Sequence, residues 1–243
     1  MQKETWTWAS VRLAGPARVA RWGHFGTPVL LFPSAGGDYE EVERFHLVRA
    51  LSPLIDAGRI KVFSVDGVAA QTWLRGTGSP GDCARVQSSY DAYIDAEVVP
   101  FIRRDLLSDT VQIVAAGAAI GACSAVSTLC RHPEIFRAAL TLSGIFDLSR
   151  YLQGGFSSEL SGALPLHEIP ALEEGPRLQK LRRRFVRMAS GEGSYEDPVQ
   201  SHRLAAALAA RGIPHQLDLW GSGFAHSWST WQEMLPRALA PHL

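Results

Sequence analysis

The stretch from Val111 to Ala125, VQIVAAGAAIGACSA, constrains this chain more than any other part of it. An apolar run suited to a buried strand reaches Gly117-Ala118-Ala119-Ile120-Gly121 and passes at once into a helix of small residues. Reversing the chain in so few residues presses helix against strand. Small residues at both flanks of the turn permit that contact, and the central residue is held strained above the sheet edge. That central residue is Ala119.

The construction is that of a nucleophile elbow, G-x-S-x-G, with one part missing: a methyl group can neither attack a carbonyl nor give up a proton. Two glycines alone fit an ordinary strand-to-helix crossing of any α/β protein equally well. The order of the chain adds weight, because a working elbow is followed by an acid and then a histidine, each in a loop after a strand. Phe185 to Ser190 reads as a strand opening into Gly191-Glu192-Gly193-Ser194-Tyr195-Glu196-Asp197. All three carboxylates there qualify by chemistry; Glu196 is preferred, Asp197 is second, and Glu192 stands very close to the strand end. His215 to Trp220 is the last strand, and the loop beyond it carries His226 where a general base belongs.

The rest of the chain alternates strands and helices. Trp6 to Leu13 and Ala17 to Trp22 alternate as antiparallel strands at the sheet's edge, and Pro28 to Phe32 is a short continuous apolar run, as a central strand requires. That strand ends in Pro33-Ser34-Ala35-Gly36-Gly37, a loop whose glycines would let backbone N–H groups approach a substrate oxygen. A plain Gly-Gly turn is the simpler reading of the loop by itself. Glu40 to Ala57 reads as a helix with Val42, Phe45, Val48, Leu51 and Ile55 on one stripe, interrupted at Pro53. After the strand Ile60 to Val65, the segment Asp66 to Trp73 leaves at the ligand-binding end of such a sheet, which makes Gln71 and Trp73 candidates for a pocket wall. Arg85 to Ile102 is a second crossover helix. Ser143, after the strand Ala138 to Leu142, has a hydroxyl but no elbow. Tyr151 to Pro176 is irregular and sits where a cap over the site would be inserted, and the basic run Arg177 to Arg184 reads as a solvated helix face.

With 243 residues, 46% hydrophobic and 20% charged, one large α/β domain over residues 1–243 is expected, with a mostly parallel central sheet and helices on both faces. Lys+Arg and Asp+Glu balance at 24 each, which argues against nucleic acid or an anionic membrane as partner and for a small ligand without strong charge. No segment holds the roughly eighteen consecutive apolar residues of a membrane span, and the N-terminal residues have no continuous apolar core of a secretory signal, so a cytoplasmic location is expected. Cys83, Cys123 and Cys130 have no metal-ligand spacing and read as buried thiols; no metal and no organic cofactor is expected. Self-association into a homo-oligomer is left open.

Several segments together carry a family likeness over nearly the whole chain: FPSAGGDYEEVERF from Phe32, GRIKVFSVDG from Gly58, GAAIGACSA from Gly117, RHPEIFRAALTLSGIFDL from Arg131, GEGSYED from Gly191 and WGSGFAHSWSTW from Trp220. The chain resembles the esterase branch of the α/β-hydrolase superfamily, related to esterase D, feruloyl esterases, polyhydroxybutyrate depolymerases and the mycolyltransferase antigens. The resemblance implies an α/β-hydrolase fold with a small irregular cap at 151–176. It also implies hydrolysis of a small acyl ester through an acyl-enzyme, oxyanion donors from the backbone at Ala35 or Gly36 and at Ile120, an acid at Glu196 and a base at His226. At Ala119 the family has serine. The intact acid and base loops favour an engineered, inactivating replacement, with a natural non-catalytic binding protein, or an acyltransferase, as the alternatives.

Overall fold

Residues Val29 and Leu31 belong to one hydrophobic core, Leu30 and Phe32 to another, and this alternation along a single strand sets the architecture. The strand is central and buried on both faces, so each face needs its own layer of helices. In the computed structural model, which describes residues 2–34, 36–75, 79–148, 151, 162 and 164–243, eight strands form one sheet. They are β1 (Lys3–Ser10), β2 (Gly15–Trp22), β3 (Thr27–Phe32), β4 (Ile60–Val65), β5 (Ile113–Ala118), β6 (Phe136–Leu142), β7 (Phe185–Ser190) and β8 (His215–Leu219), in the order β1-β2-β4-β3-β5-β6-β7-β8. The pairs β1/β2 and β2/β4 are antiparallel; every pair from β4 to β8 is parallel. The expected antiparallel edge and mostly parallel sheet are present.

The described helices are α1 (Glu41–Arg44), α2 (Leu47–Ala50), α3 (Ser52–Asp56), α4 (Val68–Arg75), α5 (Pro80–Tyr93), α6 (Val99–Asp105), α7 (Ile120–Arg131), α8 (Pro165–Glu168), α9 (Pro176–Leu181), α10 (Pro198–Ala210) and α11 (Trp228–Leu239). Residues of α1 to α3 and α11 share one core with Val29 and Leu31; residues of α4 to α7, α9 and α10 share the other with Leu30 and Phe32. A π-helical turn, Ile94–Val98, joins α5 to α6.

One expectation is corrected. The helix expected over Glu40 to Ala57 is three short pieces, broken at His46, whose backbone is left-handed (φ 62°), and again at Leu51, ahead of Pro53. With the break, Phe45 leaves the buried stripe and is 41% exposed, stacked on Trp228 with ring centroids 4.6 Å apart. Of the cap expected at 151–176, residues 152–161 and 163 lie outside the described residues. Leu164, Ile169 and Leu172 are buried in the core shared with α7 and α10.

The sheet order fixes where a site can form. From β3 the chain crosses to β4 on one side and later returns to β5 on the other, so the loops leaving β3 and β5 diverge and open a crevice beyond the strand ends. Those loops are Pro33 to Gly37 and the turn at Ala119.

Candidate active site

Ala119 follows the last residue of β5 and precedes the first of α7, with φ 51° and ψ −119°. A non-glycine residue here is strained by about 1–3 kcal/mol, and the surroundings must hold it. They do so on both sides: its N–H donates to the Leu142 carbonyl at 3.0 Å, and its own carbonyl accepts from Ile145 N–H at 3.0 Å. A Cβ on Gly117 would lie 2.3 Å from the Gly121 carbonyl oxygen, and one on Gly121 would lie 2.5 Å from the carbonyl oxygens of both Phe32 and Pro33. Helix α7 is thus pressed onto the end of β3, where the Pro33 to Gly37 loop begins. Ile120, the first residue of α7, carries one of the N–H groups that a helix leaves without an internal partner.

The β3 loop is tied down from below and behind. Ser34 donates to the Glu41 carboxylate through its N–H (2.7 Å) and its hydroxyl (3.1 Å), and a Cβ on Gly37 would fall 2.1 Å from Glu41 Oε1. Burial pushes the Glu41 carboxyl above its ordinary range, and the two Ser34 bonds offset this only in part. Gly36 takes a left-handed backbone (φ 76°), and its carbonyl accepts from Gln71 Nε2 at 2.9 Å. Ala35, the other expected oxyanion donor, lies outside the described residues. Beneath the elbow only a void of about 10 Å³ remains among Phe32, Ser34, Gly117, Leu142 and Trp228, so the floor of the site is filled.

Glu196 and His226 come together. The Glu196 side chain is 1% exposed, and its Oε2 is 3.6 Å from His226 Nδ1, a separation that catalytic hydrogen bonds often show before a ligand tightens them. Tyr195, left-handed at φ 64° and 93% exposed, turns the chain so that Glu196 points inward while Glu192 and Asp197 stay exposed. The His226 side chain is 21% exposed, and the residue's backbone N–H donates to the Ser194 carbonyl at 3.0 Å, which pins the two loops to each other. Trp231 meets the imidazole edge to face at 5.0 Å.

Gln71 and Trp73 are not brought together. Gln71 spends its amide on the Gly36 carbonyl, behind the loop. Trp73 is 1% exposed in the core, its indole N–H toward Gln87 Oε1 at 3.5 Å, so it is corrected from pocket wall to core residue. Residues two apart on a helix point about 200° apart, so both could not face one pocket. Sequence reasoning passed over Ser143, whose hydroxyl donates to Glu196 Oε1 at 2.5 Å and accepts from Trp231 Nε1 at 2.9 Å. It also passed over Glu41. A carboxylate seven residues past the loop serine was the available signal, and it is a weak one.

A larger groove, about 990 Å³, lies far from these groups, between β1 and the α5 to α6 segment, lined by Trp6, Trp8, Glu97 and Phe101. Among the described residues no group of three or more His, Cys, Asp or Glu side chains could hold a metal ion, and no helix is long and apolar enough to cross a membrane. The three cysteines are buried free thiols.

A mostly parallel sheet with its switch point at β3, a strained strand-to-helix turn beyond β5 and a carboxylate on a histidine after the last two strands define an α/β-hydrolase fold. The family model described as "Putative esterase" matches residues 42–242, and the chain belongs to this esterase family within the α/β-hydrolase superfamily. Solved structures are similar throughout. A ferulic acid esterase has 14% identity and a TM-score of 0.74, covering 98% of this chain and 96% of that one. An S-formylglutathione hydrolase from Agrobacterium tumefaciens has 15% identity and a TM-score of 0.74, with 99% and 94% covered. Mycobacterium tuberculosis MPT51 has 17% identity and a TM-score of 0.72, with 100% and 97% covered. At such identities the likeness is one of fold. No curated protein sequence matches the chain.

Proposed function

We propose that the site is that of a serine carboxylic-ester hydrolase acting on a small acyl ester, with Ala119 standing at the nucleophile position. The observation that carries this reading is the backbone of Ala119: a strained turn at the switch point, with a buried carboxylate and a histidine after the later strands, is costly to keep for packing alone. With serine at position 119, His226 would take the hydroxyl proton as the oxygen attacks the acyl carbon. The oxyanion would be held by backbone N–H groups at Ile120 and in the β3 loop, and the alcohol would leave with the proton from the histidine. Water, or an acceptor alcohol if the enzyme is an acyltransferase, would then release the acyl group by the same steps in reverse. The chain with Ala119 cannot form the acyl-enzyme, which fits an engineered replacement.

The methyl at position 119 is also the observation that favours a second reading, a natural binding protein that uses the same cleft for an acyl ligand.

The test is Ala119→Ser. Restoring the one missing member of a triad should raise hydrolysis of p-nitrophenyl acetate and butyrate by at least about a thousandfold, introduce labelling by a fluorophosphonate, and leave both sensitive to His226→Ala. A folded Ala119→Ser protein that neither hydrolyses nor labels would establish the binding reading in its place.

A further inference from the structure

We propose that Trp231 and Ser143 form a directional hydrogen-bond relay that fixes the tautomer of His226 through Glu196; this rests on the assignment of Glu196 and His226 as acid and base. Ser143 and Trp231 are positioning residues in this scheme, since both act through the carboxylate.

The direction follows from what each group can do. An indole N–H only donates, so at 2.9 Å from Trp231 Nε1 the Ser143 oxygen must accept. Ser143 has a single proton left to place, and the group 2.5 Å away is Glu196 Oε1. Were Glu196 to hold a proton toward Ser143 instead, the serine proton would be buried without a partner, at the cost of an unsatisfied donor in a residue only 3% exposed. The relay therefore holds Oε1 as an acceptor and aims Oε2 at His226 Nδ1, 3.6 Å away. With Oε2 accepting as Oε1 does, Nδ1 carries the imidazole proton. The lone pair is left on Nε2, which is the form a general base for the elbow requires.

The backbone places the relay. Ser143 is left-handed (φ 48°), and its N–H donates to the Ala189 carbonyl at 2.8 Å, at the end of β7. Its neighbours Leu142 and Ile145 make the two hydrogen bonds that hold the strained Ala119. One short turn after β6 thus clamps the elbow with its backbone and the acid with its side chain. Trp231 serves twice as well, donating to Ser143 and packing edge to face on the ring whose tautomer is being set.

The experiment reads the tautomer in the chain as it stands, with Ala119 in place and no need for turnover. Nitrogen-15 NMR of labelled histidine, recorded about two pH units above the ordinary imidazole value of about 6.5, should show His226 as the Nδ1–H form with a slowly exchanging low-field proton. Ser143→Ala should convert it to a mixture of tautomers and lose the low-field proton. Trp231→Phe, which keeps a ring but removes the donor, should shift it in the same direction by less. Glu196→Gln serves as the control. If Glu196→Gln changes the tautomer while Ser143→Ala and Trp231→Phe do not, the relay is wrong and the acid-base pair stands; if Glu196→Gln has no effect either, both are wrong. Should Ser143→Ala fail to fold, Trp231→Phe decides alone. In an Ala119→Ser background, Ser143→Ala should lower kcat about ten- to a hundredfold, with KM little changed.

Discussion

Gly121→Ala is the smallest change that probes whether α7 really leans on the end of β3. The added Cβ would lie 2.5 Å from the carbonyl oxygens of both Phe32 and Pro33, and ordinary contact near 3.4 Å needs a retreat of about 0.9 Å from each. Both obstacles are backbone at the end of a central strand that is hydrogen-bonded to β4 and β5, so no side chain can swing away to make room. Overpacking of this kind costs about 1–3 kcal/mol, and with two carbonyls in the way the upper end applies. Alanine is better than glycine in a helix by about 1 kcal/mol, which works in the opposite direction. The balance is a loss of about 2 kcal/mol, or about 4–8 °C in Tm for a domain of this size. Thermal unfolding followed by circular dichroism, with urea titration for the free energy, measures it. Gly223→Ala is the matched control, because a Cβ there meets nothing within 4 Å, and it should change stability by less than about 0.5 kcal/mol. A Gly121→Ala protein as stable as the parent would mean that the helix does not approach the strand this closely. The elbow geometry built on that approach would then fall. The same shift would carry the Pro33 to Gly37 loop with it, so in an Ala119→Ser background Gly121→Ala should also reduce the activity regained.

Asp105 joins two buried cations, with Oδ1 2.5 Å from Arg21 and Oδ2 2.6 Å from Lys61; Asp105→Ala should cost about 3 kcal/mol, at the low end for a broken buried pair because Glu4 still pairs with Arg21, as chemical denaturation will register. Glu41 has a folded-state pKa raised above its ordinary 4.5 by burial, so the stability tied to its protonated form is fully present below that value and is lost as pH rises through the raised one. Glu41→Gln, which mimics the protonated acid and can keep both Ser34 contacts, should gain stability relative to the parent as pH rises through that window. A difference between the two proteins that stays flat with pH would show that Glu41 does not titrate there.

Much of this fold was written in local sequence. Strands β3 and β5 are largely apolar runs because both of their faces are covered, and β4 and β7 fall on the residues that the sequence marks as strands. The elbow was legible for a local reason too: glycines at 117 and 121 are demanded by contacts between residues four apart in the chain and by one neighbouring strand. The order of elbow, acid loop and histidine loop is a property of the chain itself. What sequence left open were choices that differ by one residue or by a rotation. Glu196 and Asp197 are chemically interchangeable in a string of letters; a left-handed backbone at Tyr195 turns one inward and leaves the other exposed. Gln71 and Trp73 both follow β4, but only the packed helix decides that one supports the Gly36 carbonyl while the other is sunk in the core. Ser143 gives the sharpest case. Nothing near it in the chain marks it out, because its partners lie 53 and 88 residues away, and a hydroxyl acquires a role only when folding brings it a donor-only indole on one side and a carboxylate on the other. Periodicity and turn chemistry are local energies and can be read from sequence, whereas the direction in which a buried polar group must point is settled by what long-range packing places within about 3 Å of it.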